Sequence, residues 1–350
     1  MTSSLLALPL LLGWTLPWAS HTPAYPHNEP IQRIVDQVAA SVEESLHPKG
    51  LAIVVAEPTT GKILGIASRL NDISVGPREA ISWIYEPATP FKPVVAVAVL
   101  EKGAITPQTK INCENGAFNF EGKTIRDHHK AGDLTLAEVI QYSSNIGASK
   151  MALLLKDQEF YDFVRRFGFG DKAGVALPGE CQGLVNPPQK WDSLTKSRMA
   201  FGQSVGVTPL QLTMAYCVLA NGGKLMKPVI GSEEAAVVRR VCSPKVAQEV
   251  RSALEATVSP EGTAPLAKVA GVTVAGMAGT SQAISPEGKY YPDKFITSFA
   301  GFFPADHPKY VVTVVVDQAD LPPEKNYGGL VAAPIFSEIA GKIADSQHLR

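Results

Sequence analysis

The sequence predicts an α+β fold in which helices flank a mostly antiparallel sheet of five strands. Two strand-like segments lie near the start of the chain, at residues 51–57 and 62–68. Three more lie near its end, at residues 272–282, 295–303 and 310–317, and a long helical region separates the two groups. Strands that are grouped in this way, without regular alternation with helices, favour one sheet with a separate all-helical subdomain.

The first elements follow from local patterns. Residues 31–46 have apolar side chains at helical spacing. The segments LAIVVAE and KILGIAS flank Pro58-Thr59-Thr60-Gly61, which predicts a β-hairpin with a glycine-containing turn. Thr89-Pro90 then predicts the start of a helix that continues through VVAVAVLEKG and stops near Gly103.

The later helices have clearer start signals. Residues 134–142 and 146–157 predict two helices, with Ser143-Ser144-Asn145 at their junction. Thr208-Pro209 and Ser243-Pro244 each combine a hydroxyl N-cap with proline at the first helical position. A last helix is predicted over residues 333–345.

Composition excludes several classes of function. The chain has 350 residues, 45% of them hydrophobic, which is enough for a sizeable core. Its formal net charge is -1 and it has no basic run, so there is no electrostatic case for binding nucleic acid. The four cysteines are widely spaced and no other ligand cluster is visible, so we expect neither a metal nor a cofactor.

The N-terminal residues carry an apolar stretch, residues 5–19, that is interrupted by Pro9 and Pro17. It is shorter than the roughly 20 apolar residues that a spanning helix needs. We therefore expect residues 1–24 to be a signal peptide or a short membrane anchor, although no Lys or Arg precedes the stretch. The chain is expected to be exported to the cell envelope, either periplasmic or anchored on the outer side of the inner membrane.

Three motifs carry the chemistry. They are Glu86-Pro87-Ala88-Thr89-Pro90-Phe91-Lys92-Pro93, then Ser143-Ser144-Asn145, then Gly276-Met277-Ala278-Gly279-Thr280-Ser281-Gln282. They resemble the E-P-G-S-T-F-K-P, S-x-N and G-K-T-G-T-A-Q motifs of penicillin-binding protein transpeptidases. Residues 167–185 and 201–228 are similar to the class B branch of that family. The resemblance implies the fold of these transpeptidases and of serine β-lactamases over residues 28–350. Since only about fifty residues precede the first strand, we expect the usual non-catalytic module of class B members to be missing.

The resemblance also assigns roles. Thr89 takes the place of the nucleophilic serine, Lys92 that of its base, Ser143 that of the proton-relay serine and Asn145 that of the substrate-amide contact. Local chemistry offers alternatives. Thr89-Pro90 also suits a helix N-cap, Ser143 and Asn145 also suit caps at their helix junction, and Lys92 could simply occupy a polar cleft, bonded to Ser143 and Asn145.

The third motif departs most from the family pattern. In the family pattern, the lysine supplies a cation near the nucleophile and the threonine supplies a hydroxyl that helps to hold the substrate carboxylate. Met277 and Ala278 replace these two residues, whereas Gly279 and Thr280 keep the backbone edge. Charge-assisted hydrogen bonds are roughly twice as strong as neutral ones, so anion recognition is expected to fall. Thr89 is also more crowded than a serine. If the motifs are aligned correctly, all these residues must converge on one cleft.

The sequence therefore predicts a catalytically impaired relative, a pseudoenzyme or binding module for peptidoglycan stem peptides, with a β-lactam or an envelope protein as further possible partners. The alternative is a slow D,D-transpeptidase or carboxypeptidase that uses Thr89 and Lys92. A β-lactamase is a third alternative, which the class B segments and the two lost side chains disfavour.

Overall fold

A computed structural model describes residues 28–71, 73–285 and 287–349 of the chain. The expected signal peptide or anchor, residues 1–24, lies outside these described residues. Within the described part of the chain, no helix is both long enough and apolar enough to cross a bilayer.

The described residues form α-helices and β-strands that we number in chain order. The helices are α1 Glu29–Leu46, α2 Arg78–Ser82, α3 Lys92–Glu101, α4 Leu136–Gln141, α5 Asn145–Leu153, α6 Asp157–Arg166, α7 Thr195–Met199, α8 Pro209–Ala220, α9 Pro244–Ala256 and α10 Ala332–Ser346. The strands are β1 Gly50–Ala56, β2 Ile63–Leu70, β3 Ile73–Ser74, β4 Ile111–Asn112, β5 Ala117–Phe120, β6 Lys123–Arg126, β7 Asp133–Leu134, β8 Lys224–Met226, β9 Val237–Arg240, β10 Ala275–Ile284, β11 Tyr290–Phe303 and β12 Tyr310–Asp317.

The main sheet has the strand order β10-β11-β12-β1-β2-β3, and every neighbouring pair is antiparallel. It contains the five predicted strands and one more, the two-residue strand β3. The central strand β1 is buried along its whole length, which suits its run of branched apolar residues. Strand β10 forms one edge of the sheet, so its outer side is free to line a cleft.

Helices cover both faces of the sheet, as an α+β fold requires. On one face, α1 and α10 pack against the sheet, and α1 contributes Ile31, Val35, Val38 and Val42 at helical spacing. On the other face lies the helical region, in which α3 and α8 are buried almost all round. This region brings α3 and α5 against each other and presents the start of α3 to strand β10.

Most predicted helices are confirmed, and one is divided. Thr208 and Ser243 cap α8 and α9 through their side chains, as their sequences indicated. The helix predicted over residues 146–157 ends earlier, at Leu153, because the following amides bond to carbonyls three residues back. A new helix, α6, then begins where Glu159 accepts a hydrogen bond from the amide of Lys156.

Candidate active site

Thr89 begins a short 3-10 turn, Thr89–Phe91, that leads into α3. Ala88, just before it, has φ 52° and ψ -139°, a conformation that residues with a β-carbon rarely adopt. Two contacts hold the turn in place: the Ala88 amide donates to the Gly202 carbonyl at 3.1 Å, and the Tyr216 hydroxyl donates to the Pro90 carbonyl at 3.2 Å. Thr89 is thus held at the tip of a constrained turn.

The hydroxyl of Thr89 does not cap a helix. Neither the 3-10 turn nor α3 has a side-chain cap, and the interpretation of Thr89 as an N-cap is wrong. Thr89 Oγ1 instead lies 3.1 Å from Ser143 Oγ, within hydrogen-bond distance. A long-range partner has therefore replaced the local one that the Thr-Pro pair suggested.

Lys92 is completely buried and points at the same serine. Its Nζ donates to Ser143 Oγ at 2.7 Å and to the Ser143 carbonyl oxygen. Burial lowers the pKa of Lys92 to about 7, against the opposing influence of the Asp127 carboxylate. Near neutral pH, a substantial fraction of Lys92 is therefore an uncharged amine. We call Thr89, Lys92 and Ser143 the polar cluster.

Ser144, rather than Ser143 or Asn145, caps α5. Its Oγ accepts a hydrogen bond from the Gly147 amide at 2.8 Å. Ser143 has a positive φ of 56°, which directs its carbonyl and hydroxyl to Lys92. The Asn145 side chain donates to the Arg126 carbonyl at 3.1 Å, and no bond to Lys92 is found among the described residues. The interpretation of Ser143 and Asn145 as side-chain caps is thus wrong, as is the expected Lys92–Asn145 bond.

Asp127 holds this turn in place through its carboxylate. It is not among the site residues that the sequence predicts. One carboxylate oxygen accepts the amides of Asn145 at 2.6 Å and Ile146 at 3.0 Å. The other accepts the Ser144 hydroxyl at 2.5 Å. Residues that cap a helix usually lie next to it in sequence, whereas Asp127 lies 17 residues before Ser144, so no local pattern indicates it.

Residues 277–280, which we call the edge segment, lie on strand β10 beside the Thr89 turn. A β-carbon on Gly279 would stand 2.5 Å from Pro90 Cδ and 2.8 Å from the Pro87 carbonyl oxygen. The structure therefore places the edge segment directly beside the turn that carries Thr89 of the polar cluster. Met277 is completely buried in the core, Ala278 is half-buried, and Thr280 Oγ1 accepts the Gly328 amide at 3.0 Å. The edge segment presents no charge.

Glu86 is a second residue that the sequence analysis did not assign to the site. Its carboxylate accepts the Ser204 amide at 2.8 Å and the Tyr290 hydroxyl at 2.9 Å. Burial raises its pKa, with the two hydrogen bonds and Arg198 acting in the opposite direction. These bonds attach the start of the first motif to both the helical region and strand β11. A contact across 204 residues leaves no pattern in sequence.

The family to which the chain belongs is shown by its sequence. Residues 51–341 match the family model described as the penicillin binding protein transpeptidase domain. The chain is a penicillin-binding protein transpeptidase domain. The transpeptidase domain of penicillin-binding protein 3 from Burkholderia pseudomallei superposes with a TM-score of 0.83 at 33% identity, over 91% of this chain and 95% of that one.

Similar curated proteins are longer than this chain. Stage V sporulation protein D of Bacillus subtilis is 33% identical over 88% of this chain and 51% of its own length. Peptidoglycan D,D-transpeptidase FtsI of Escherichia coli K12 is 30% identical over 95% of this chain and 57% of its own length. The chain thus spans little more than half the length of these curated relatives.

The candidate site of this transpeptidase domain contains groups suited to proton transfer. A hydroxyl, a bridging hydroxyl and a buried amine are joined by hydrogen bonds, and the amine has a pKa near neutrality. In residues 28–71, 73–285 and 287–349, no cluster of three or more His, Cys, Asp and Glu side chains could hold a metal ion. Asp127, His128 and His129 are adjacent but are not such a cluster, and the His129 ring stacks on Tyr142 with ring centroids 4.4 Å apart.

Proposed function

We propose that this chain is a peptidoglycan-directed transpeptidase domain of the cell envelope that binds stem peptides but is impaired in acyl transfer. The observation that carries the proposal is the edge segment, where Met277 is completely buried and Ala278 has no hydroxyl. A substrate carboxylate would find neither a cation nor a hydroxyl at these two positions. Binding along the backbone of β10 remains available, since the strand is an edge of the sheet.

The proposal includes the setting of the domain. We place it in the envelope, exported by way of residues 1–24, because stem peptides and β-lactams are found there. The partners that fit are a stem peptide, a β-lactam or an envelope protein. The roles of Asn145 and of Met277, Ala278, Gly279 and Thr280 in contacting such a peptide are part of the proposal.

The test of impairment is covalent labelling with a fluorescent penicillin. We expect little or no adduct with the unmodified protein, because Thr89 is a crowded nucleophile and the edge segment offers no charge to the carboxylate of the drug. Thr89→Val serves as the control for non-specific labelling. Rapid stoichiometric labelling that disappears in Thr89→Val would exclude an impaired site.

The test of binding uses a synthetic stem pentapeptide ending in D-Ala-D-Ala, followed by NMR of the labelled protein. We expect weak, saturable shifts at amides of the edge segment. The same peptide ending in L-Ala-L-Ala is the control for non-specific contact. Absence of saturable shifts with the D-peptide would contradict the binding role.

A second candidate, slow D,D-transpeptidation or carboxypeptidation, is favoured by the hydrogen bonds of the polar cluster. Thr89 Oγ1 would attack the carbonyl carbon while its proton passes through Ser143 to the uncharged Lys92 amine. Collapse of the tetrahedral intermediate would break the scissile bond, and the leaving amine would take the proton back from Lys92. An amine or water would then attack the carbonyl carbon of the Thr89 ester and give a proton to Lys92. The ester bond would break, and Thr89 Oγ1 would regain its proton from Lys92 through Ser143 as the product is released.

The two candidates are separated by product analysis over long incubation with the pentapeptide. Slow acyl transfer predicts release of D-alanine that is lost in both Thr89→Val and Lys92→Met. The absence of released D-alanine, together with saturable peptide binding, would support the binding role alone.

A further inference from the structure

We propose that Asp127 is a positioning residue. Its carboxylate holds the Ser143–Asn145 turn in the conformation in which Ser143 accepts hydrogen bonds from the Lys92 amine. The inference rests on the proton transfer proposed above for the polar cluster as part of the second candidate function. It adds a residue from a different part of the chain, the connection between β6 and β7, to the machinery of the site.

Asp127 fixes the geometry of the turn. The Asp127 carboxylate accepts three hydrogen bonds, from the amides of Asn145 and Ile146 and from the Ser144 hydroxyl. Both amides belong to the first turn of α5, where amides have no partner within the helix. A carboxylate at this position is also favoured by the helix dipole. The start of α5 is thus fixed by a residue outside the helix.

This anchoring also constrains the conformation of Ser143. The serine precedes the anchored residues directly and has a left-handed backbone with φ 56°. A non-glycine residue keeps this conformation only where its surroundings hold it. Asp127 bonds the next residues on one side, and the Ser143 amide donates to the Ile140 carbonyl at 3.1 Å on the other. The resulting backbone directs both oxygens of Ser143 to Lys92 Nζ.

Asp127 also affects the charge of Lys92. The neighbours of Lys92 are the Ser143 hydroxyl and carbonyl, with Thr89 joined through that hydroxyl, and the edge segment contributes no charge. The Asp127 carboxylate acts on Lys92 through space and raises its pKa, against the larger effect of burial. Asp127 thus affects both the position of the partner of Lys92 and the protonation of Lys92.

The experiment measures both effects without requiring any activity. The full chain is labelled with ¹³C at the lysine ε-carbons, and the Lys92 signal, assigned by its loss in Lys92→Met, is titrated with pH. Hydrogen exchange of the Asn145 and Ile146 amides is measured in the same samples. The variants are Asp127→Asn, Asp127→Glu and, as a matched control, Asp133→Asn. Asp133 is an exposed carboxylate at the start of β7, directly after the same connection, and it accepts a hydrogen bond from the Asn112 side chain at 2.9 Å.

In Asp127→Asn we expect the pKa of Lys92 to fall by about one unit, because a nearby negative charge has been removed. We also expect exchange of the two amides to accelerate about tenfold or more, since each loses a charged acceptor. Asp127→Glu keeps the charge but misplaces it, so the amides should exchange faster while the pKa changes less than in Asp127→Asn. Asp133→Asn should change neither quantity.

The proposal is overturned if Asp127→Asn leaves both quantities at their unmodified values or matches Asp133→Asn. If Asp127→Asn does not fold, Asp127→Glu decides alone, and unchanged amide exchange in that variant would overturn the proposal. Binding of penicillin or peptide is not part of this readout. A failure of the proposed function therefore gives a different result from a failure of Asp127 as a positioning residue.

Discussion

The polar cluster and the edge segment lie against each other at the Thr89 turn, and these two sides of the candidate site differ in chemical character. Thr89, Ser143 and Lys92 are joined by hydrogen bonds of 3.1 and 2.7 Å and include an amine with a pKa of about 7. The edge segment has a buried Met277 and presents no charge. The groups expected to move protons and the positions expected to bind a carboxylate are thus separate, and a sequence can keep one set while it loses the other.

Restoring the nucleophile together with the edge segment is expected to give the largest effect. We predict that Thr89→Ser combined with Met277→Lys and Ala278→Thr raises the rate of penicillin acylation by roughly 100-fold or more, since nucleophile and charge contacts act as a unit. Labelling with fluorescent penicillin over time measures this rate. Each single substitution should recover much less.

Thr89→Ser alone is the control for the nucleophile, because it leaves the edge segment unchanged. A folded triple variant that remains unlabelled would show that the two sides differ by more than these side chains. Recovery of acylation by Thr89→Ser alone would show that the charge introduced by Met277→Lys is not needed.

A side chain that forces the edge segment away from the Thr89 turn should lower the free energy of unfolding. In Gly279→Ala the new β-carbon would meet Pro90 Cδ at 2.5 Å and Ser298 Oγ at 2.8 Å. We expect the free energy of unfolding to fall by about 3 kcal/mol, measured with urea. Gly132→Ala is the matched control, because its β-carbon would have no atom closer than 3.8 Å and its φ is not positive. Equal stability of the two variants would contradict close packing between the two sides.

The polar cluster should be visible in the pH dependence of stability. Lys92 in the folded protein loses its proton as pH rises through about 7, whereas an unfolded lysine keeps it to about 10.4. The unfolded state thus binds more protons between these values, and the stability contributed by Lys92 rises with pH in that window. Relative to Lys92→Met, the unmodified protein should gain about 2.5 kcal/mol between pH 6 and pH 9.

Urea unfolding of both proteins at the two pH values measures this difference. Lys245→Met provides the control, since Lys245 is exposed on α9 and should show no comparable change. A stability difference between Lys92→Met and the unmodified protein that is constant with pH would mean that Lys92 keeps an ordinary pKa.

The smallest expected effect concerns the turn that carries Thr89. Ala88 has φ 52° and ψ -139°, where glycine has no steric penalty. We expect Ala88→Gly to raise the free energy of unfolding by about 1 kcal/mol in urea. Ala117→Gly, at an extended φ of -146°, should instead lower it. If both substitutions destabilise the protein equally, the turn does not carry strain.

Sequence patterns predicted the sheet and several helices because their signals are local. Strand β12 has the predicted bounds, since its run of valines favours an extended chain. Thr208 and Ser243 were correct as caps because each bonds an amide three residues ahead. The same local reasoning failed at Thr89, whose hydroxyl is bonded to a residue 54 positions away.

The site was predictable only where motifs named its residues. The resemblance located Thr89, Lys92, Ser143 and the edge segment, and the structure brings them together, while their roles in catalysis and binding remain predictions. Asp127 could not be assigned, because its bonds to α5 depend on how the connection between β6 and β7 folds back over the helix.

The position of β1 in the sheet has a consequence for how the chain folds. This strand pairs with β2, its neighbour in sequence, and with β12, from the far end of the domain, so that Leu51 lies opposite Val316. Contacts between such distant segments form slowly, since a long loop must close first. Until β12 has emerged, β1 has an unpaired apolar edge that can join another chain. Chains truncated before Tyr310 are therefore expected to aggregate rather than to yield an isolated N-terminal half.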